Sequence, residues 1–225
     1  NMTQEELDAI VDEVHAFHKR CACHCFTPTA QRMAVRAGVD TIEHCVFTDD
    51  EAIAMMKAED KIIVPTLAHR SDRAIEVRRR AGSSEFVLDK MKKIQPHTKE
   101  TFQKFHQAGI KIALGTDTQI DPEAGTSAHE LEIYVEYGMT PMEAIQTGTR
   151  NTAEAIGLER ETGTLEPGKF ADIIAVEGNP LKNIRVLQDK KKIQMVMKEG
   201  KVFVFRKPGQ EKHVIHDQSW GWKRI

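Results

Sequence analysis

Residues 21–46, CACHCFTPTAQRMAVRAGVDTIEHCV, contain a strand, a helix and a second strand in that order. Cys21 to Phe26 is a short apolar run of strand length. Pro28 follows, and its fixed φ suits the first turn of a helix, where its missing N–H is no loss. Ala37-Gly38 signals the end of that helix. Val39 to Val46 is again strand-like. Two strands joined by a helical crossover must run parallel, because the helix carries the chain back to the starting end of the sheet.

The same alternation extends on both sides. Thr3-Gln-Glu-Glu6 has the form of a capping box, and Leu7, Ile10, Val11, Val14 and Phe17 mark the expected buried stripe of the first helix. Thr48-Asp-Asp-Glu51 predicts another capping box opening a helix over 49–59. KIIVPT (61–66) and KIALGT (111–116) predict two further strands, with a helix over about 97–108 closed by Gly109 between them. Ser127-x-x-Glu130 and Thr140-Pro-Met-Glu143 predict the starts of two more helices. Four strands, each followed by helical sequence, give an α/β class with a parallel sheet. No repeat of fixed period is visible. After Ile156 the pattern changes. Glu166-Pro-Gly-Lys169 is a turn, ADIIAV (171–176) a strand, and 193–197 with 201–205 a hairpin around Glu199-Gly200. The polar tail 206–225, with Trp220 and Trp222, is expected to be a packing or oligomer arm, which implies a homo-oligomer; a partly disordered tail is the alternative.

Composition narrows the function. The chain of 225 residues carries 32 Lys+Arg against 34 Asp+Glu, a formal charge of -2, without the basic footprint of a general nucleic-acid binder. No run of apolar residues has membrane-spanning length, so no membrane association is expected. The start, Gln4 to Arg20, is acidic and amphipathic, unlike a secretory signal. Cys21, Cys23, Cys25 and Cys45 are therefore read as reduced thiols of a cytoplasmic protein, packing as small apolar groups. Asn1 ahead of Met2 suggests a piece of something longer.

Three polar residues occupy comparable places. His24 and His44 lie near the ends of their strands, and Asp117 directly follows the last one. In parallel α/β folds the carboxyl ends of strands carry the site. Alternation predicts that Ala22, His24 and Phe26 share one face with the cysteines opposite, that Ile42 and His44 share a face, and that Ala113, Gly115 and Asp117 share a face. A lone buried histidine is usually a satisfied core residue. Two imidazoles and a carboxylate at three strand ends are instead a ligand set suited to Zn²⁺.

AVRAGVDTIEH (34–44), GTD (115–117), GMTPMEA (138–144), NTAEAIG (151–157) and GTLEPGKFADII (163–174) together resemble the amidohydrolase superfamily, in its imidazolonepropionase-like and prolidase-like branch. The resemblance covers about residues 3–204. It implies the C-terminal half of a metal-dependent (β/α)8 TIM barrel with an appended β-sandwich segment: residues 1–160 as strands five to eight of the barrel, 161–205 as the sandwich segment and 206–225 as a tail. His24 and His44 would be the metal-ligand histidines of strands five and six. Asp117 would be the strand-eight aspartate, a metal ligand and the catalytic proton carrier. The cofactor implied is a divalent metal, Zn²⁺ above all, as one or two ions.

The resemblance has gaps. The family places a His-x-His pair on strand one and, in binuclear members, a carboxylated lysine on strand four. No His-x-His occurs here; His15/His18 and His213/His216 have the wrong spacing. The expectation is therefore a chain that needs the missing N-terminal half of the barrel as a partner. The implied activity is hydrolysis of a C–N bond in a small-molecule amide or dipeptide. The alternatives are hydrolytic deamination on the same scaffold and a catalytically inactive scaffold fragment. His69 and Arg70, after strand 61–66, can bind a substrate carboxylate, or else sit on a solvated loop. His129 can contact substrate or the Asp117 loop, or else serve only in capping. Arg73, Arg78, Arg79 and Arg80 are expected to form an exposed helix face or a lid.

Overall fold

The computed structural model describes residues 2–117 and 125–206, and the backbone of 213–214. The helix α1 (Gln4–Ala16) leads into β1 (Ala22–Cys25), α2 (Pro28–Ala37), β2 (Thr41–His44), α3 (Asp50–Ala58) and β3 (Ile62–Val64). Two helices follow, α4 (Asp72–Arg80) and α5 (Glu85–Ala108), before the short β4 (Lys111–Ile112). Then come α6 (Ala128–Glu136), α7 (Pro141–Gln146), one π-helical turn over 147–151 and α8 (Thr152–Ala155). The four strands β1 to β4 form one parallel sheet in sequence order.

The helix boundaries follow from local chemistry. At the start of α1 the Thr3 hydroxyl accepts from the Glu6 N–H while Glu6 accepts from the Thr3 N–H, the reciprocal box expected there. Gly38 and Gly109 end α2 and α5 in the left-handed conformation that glycine adopts without steric penalty. Two expectations need correction. Asp49, not Thr48, caps α3 by accepting from the Ala52 N–H at 2.9 Å, and the Thr48 hydroxyl donates to Gln31 instead. The helix expected over 97–108 begins at Glu85 and runs through Pro96. Proline removes one intrahelical bond, and burial of Leu88 in the first half holds the helix across the gap.

Ile42, Ile63 and Ile112 are register partners across three strands, all buried on the face covered by helices. With Val35, Met56, Phe102, Phe105 and Tyr134 they form the main core. Fully burying side chains of this size contributes about 1.5–3 kcal/mol each, which anchors the strands. Leu7 and Val11 bring α1 to this core, but Ile10 and Phe17 of the expected stripe stay exposed, so that stripe is narrower than expected. The other face of the sheet carries Ala22, Thr41, Glu43, Val64 and Ala113 around a cavity of ≈ 480 Å³.

Beyond α8 a second sheet is antiparallel, ordered β5 (Ile173–Val176), β6 (Ile193–Lys198), β7 (Lys201–Phe205) and β8 (His213–Val214). Glu199 and Gly200, both at positive φ, make the expected two-residue hairpin turn. A side-chain cluster ties α6 to the chain before β6: Glu132 pairs with Arg185 and accepts from Gln188 at 2.6 Å. The expected arm with Trp220 and Trp222 lies outside the described residues. No helix of the described residues is long and apolar enough to cross a membrane.

Candidate metal and catalytic site

His24 and His44 stand on adjacent parallel strands with their ring centroids 4.4 Å apart, edge to face. Phe26 stacks on His24 at 4.7 Å, on the face that alternation assigns to both. Cys25 is buried on the opposite side, among the residues under the helices, and Cys21 and Cys23 pack against them. All four cysteines are free thiols.

The expectation that Ile42 and His44 share a face is corrected. Ile42 is buried under the helices, whereas the His44 ring meets His24 and Phe26. The cause is a break in the pleat. His44 and Cys45 both have positive φ, 72° and 48°, so the strand ends in a left-handed turn that re-aims the imidazole. Thr66 after β3 (φ 50°) and Asp117 after β4 (φ 51°) repeat this at neighbouring strand ends. Non-glycine residues in this conformation store strain, which persists where surrounding contacts over-determine the backbone, and such residues cluster at functional sites.

The contacts around Thr66 show that over-determination. Thr66 Oγ1 lies 2.6 Å from His44 Nδ1. Arg70, itself buried, donates to the Thr66 carbonyl at 3.1 Å and stands over the Phe26 ring, 5.1 Å from its centroid. The next two N–H groups, of Leu67 and Ala68, donate to the two carboxylate oxygens of Glu130 at 2.6 Å each. Glu130 is wholly buried in the first turn of α6. Its expected part in a cap with Ser127 is corrected, since the Ser127 side chain makes no cap bond and the carboxylate of Glu130 reaches across to the 68–70 turn.

Charge in the site follows from burial. Burial first, then the Arg70 cation, holds the His44 imidazole down to about 4, and the same two causes hold His69 down to about 4. Both rings are therefore neutral near pH 7. Burial lowers Arg70 to about 10, leaving it charged, and pushes Glu130 up to about 7 against its two backbone N–H bonds. The strand expected over 111–116 ends at Ile112, so Asp117 does not directly follow it; its exposed carboxylate, five residues beyond β4, acts electrostatically on His44, His69, Arg70 and Glu43. His69 stands 6.0 Å from His44, ring to ring, with its Nδ1 buried and without a hydrogen-bond partner among the described residues. His129 instead turns to Glu132, 3.1 Å from its Nδ1, within the cluster that joins α6 to Arg185. Arg79 and Arg80 lie on α4 and pair with Glu76.

Five residues sought for the site thus have electrostatic or ring contacts with one another: His24, His44, His69, Arg70 and Asp117. His129 makes its contact elsewhere. Sequence reasoning missed Thr66 and Glu130, and only the Ser127-x-x-Glu130 spacing drew attention to the second. The donor chemistry suits a divalent cation, because a neutral imidazole keeps a lone pair for a metal. The donors are incomplete in number: among the described residues no group of three or more His, Cys, Asp or Glu is close enough to hold an ion.

Residues 1–203 match the amidohydrolase family. The chain belongs to the amidohydrolase family. Ochratoxinase of Aspergillus niger is 35% identical over 205 residues, which is 88% of this chain and 41% of that protein. Its crystal structure superposes with a TM-score of 0.78 at 32% identity, covering 90% of this chain and 46% of that one. A Xaa-Pro dipeptidase with bound methionine in its active site gives a TM-score of 0.82 at 36% identity, over 90% of this chain and 49% of that one. A 5-methylthioadenosine/S-adenosylhomocysteine deaminase of Teredinibacter turnerae is 38% identical over 84 residues, 33% of this chain and 19% of that protein. This amidohydrolase chain spans about half the length of the larger relatives it matches, corresponding to their C-terminal half.

Proposed function

We propose that this chain forms the half of a (β/α)8 barrel that carries strands five to eight, and that with a complementary half it hydrolyses a C–N bond in a small amide or dipeptide. The observation that carries this reading is the pair of imidazoles of His24 and His44, 4.4 Å apart at the carboxyl ends of adjacent parallel strands, beside the charge of Asp117. The complementary strands would pair with the sheet edges at β1 and β4 and enclose the face that carries Glu43 and the ≈ 480 Å³ cavity. Residues 161–205 then belong to the β-sandwich segment of the assembled protein.

In this reading His24 and His44 are metal ligands, and the complementary half brings the donors that complete the set. The metal would be Zn²⁺, as one or two ions, and when bound it would make water acidic enough to supply hydroxide near neutral pH. Asp117 completes the ligand set from this chain and takes the proton of the attacking water on its carboxylate. It later returns that proton to the leaving nitrogen, acting as base and then as acid. Arg70, charged and forked, is suited to pair with a carboxylate of the substrate, and next to it His69 offers an Nδ1 without a hydrogen-bond partner among the described residues. Burial of Arg70 against Phe26 strengthens such a pair, because less water competes for the guanidinium.

A second reading, hydrolytic deamination, draws on the likeness to the deaminase over 84 residues. The test is the full-length protein loaded with Zn²⁺, assayed on carboxylate-bearing dipeptides, on N-acyl amino acids and on an aminopurine nucleoside. Release of free amino acid supports the first reading, and ammonia from the nucleoside supports the second. A metal-loaded protein that turns over none of them leaves a scaffold.

A further inference from the structure

Glu130 is a wholly buried carboxylate that the hydrolytic scheme does not use. It stands in the first turn of α6, 63 and 62 residues from its two partners in sequence, the N–H groups of Leu67 and Ala68. Those N–H groups open the 68–70 turn and have no intrahelical acceptor of their own. The residue just before them, Thr66, is β-branched at a φ of 50°, a conformation such a residue keeps only under constraint. Its hydroxyl oxygen is 2.6 Å from His44 Nδ1.

We propose that Glu130 is a positioning residue: by clamping the backbone N–H groups of Leu67 and Ala68 it holds Thr66 in its strained conformation, so that the hydrogen bond between the Thr66 hydroxyl and Nδ1 fixes the direction of the His44 ring. The same clamp seats His69 and Arg70, which leave the turn immediately after it. Two carboxylate oxygens meeting two consecutive N–H groups leave the turn little freedom to rotate. An amide in the same place offers one acceptor only, and its own N–H₂ would face a backbone N–H. The guanidinium of Arg70 closes the arrangement from the other side, bonding the Thr66 carbonyl at 3.1 Å. That His44 then serves a metal rests on the hydrolase reading above; the clamp on its ring does not.

The test uses the full-length protein with ¹⁵N-labelled histidine. Its direct readout is the pair of His44 ring nitrogen signals, which report the hydrogen bond at Nδ1 without any turnover. In Glu130→Gln the fold is kept, judged by cooperative melting, and the His44 signals move or split. Thr66→Ala gives the same change, and Thr66→Ser restores the original signals because it keeps the hydroxyl. If the hydrolase reading also holds, Glu130→Gln loses about ten- to a hundredfold in kcat, as expected when the group that orients a metal ligand is removed. A Glu130→Gln protein that folds with unchanged His44 signals overturns the proposal. Should that variant fail to fold, amide exchange in the unaltered protein decides. Leu67 and Ala68 amides exchanging as slowly as core amides agree with the clamp, and exchange as fast as a surface loop refutes it. Absent turnover in the unaltered protein, with the His44 response intact, would sink the hydrolase reading alone.

Discussion

Strand pairing sets His44 opposite Cys25, yet the His44 ring meets His24, 4.4 Å away from centroid to centroid. The left-handed backbone at His44 and Cys45 makes this possible by turning the end of β2 out of its pleat. Both imidazoles thereby reach one place at the carboxyl edge of the sheet.

In the proposed metal site the two rings act as a joint donor pair. If the proposed ligand set is right, His24→Ala and His44→Ala should each lower zinc occupancy of the zinc-loaded protein after dialysis, with no change in the cooperativity of unfolding. Metal analysis of the purified variants checks this; full occupancy in either would remove that residue from the ligand set.

Asp117→Asn keeps the size of the side chain and removes its basicity. Under the proposed hydrolysis, turnover should fall by about 10²–10⁴-fold, the usual worth of a positioned proton carrier, while zinc is largely retained. Steady-state rates beside metal content separate proton transfer from metal loss.

Buried His44 and half-buried His69 set a pH dependence in metal-free protein. His44 and His69 are held down to about 4 from an ordinary 6.5, so between these values the unfolded chain binds protons that the folded chain refuses. Their contribution to stability is complete above about 6.5 and is lost as pH falls toward about 4. Glu130 acts in the opposite sense, raised from 4.5 to about 7, and reduces stability as pH rises across that range. Urea midpoints across the window should therefore fall less steeply with acid in His44→Gln and His69→Gln than in the parent.

Gly115 has no room for a side chain. A Cβ there would run into Val64 Cγ1 of the neighbouring strand. Gly115→Ala should destabilise by about 1–3 kcal/mol, the usual range for overpacking. Adding Val64→Ala should recover part of that loss, since it removes the clashing methyl; denaturant unfolding of the single and double variants measures the recovery.

Asp49→Ala should destabilise α3 by about 0.5–2 kcal/mol and speed exchange of the Ala52 amide that Asp49 holds at 2.9 Å. Thr48→Ala should leave that amide protected. The opposite ranking would restore Thr48 as the cap.

The order of strands and helices, the capping box at Thr3, the glycine stops at Gly38 and Gly109 and the turn at Glu199-Gly200 were all legible in the chain itself. Each depends on backbone chemistry within a few residues, which sequence spacing records directly. The presence of His24 and His44 at strand ends was legible for the same reason. Tertiary structure alone decided where several of the side chains went. The left-handed end of β2 turned His44 away from Ile42, burial of Leu88 carried α5 through Pro96, and Glu130 left its own helix for Leu67 and Ala68, 63 and 62 residues away. Such pairings join segments distant in the chain, and local propensity is indifferent to them; they exist because a buried polar group must find its partner wherever the packed core presents one.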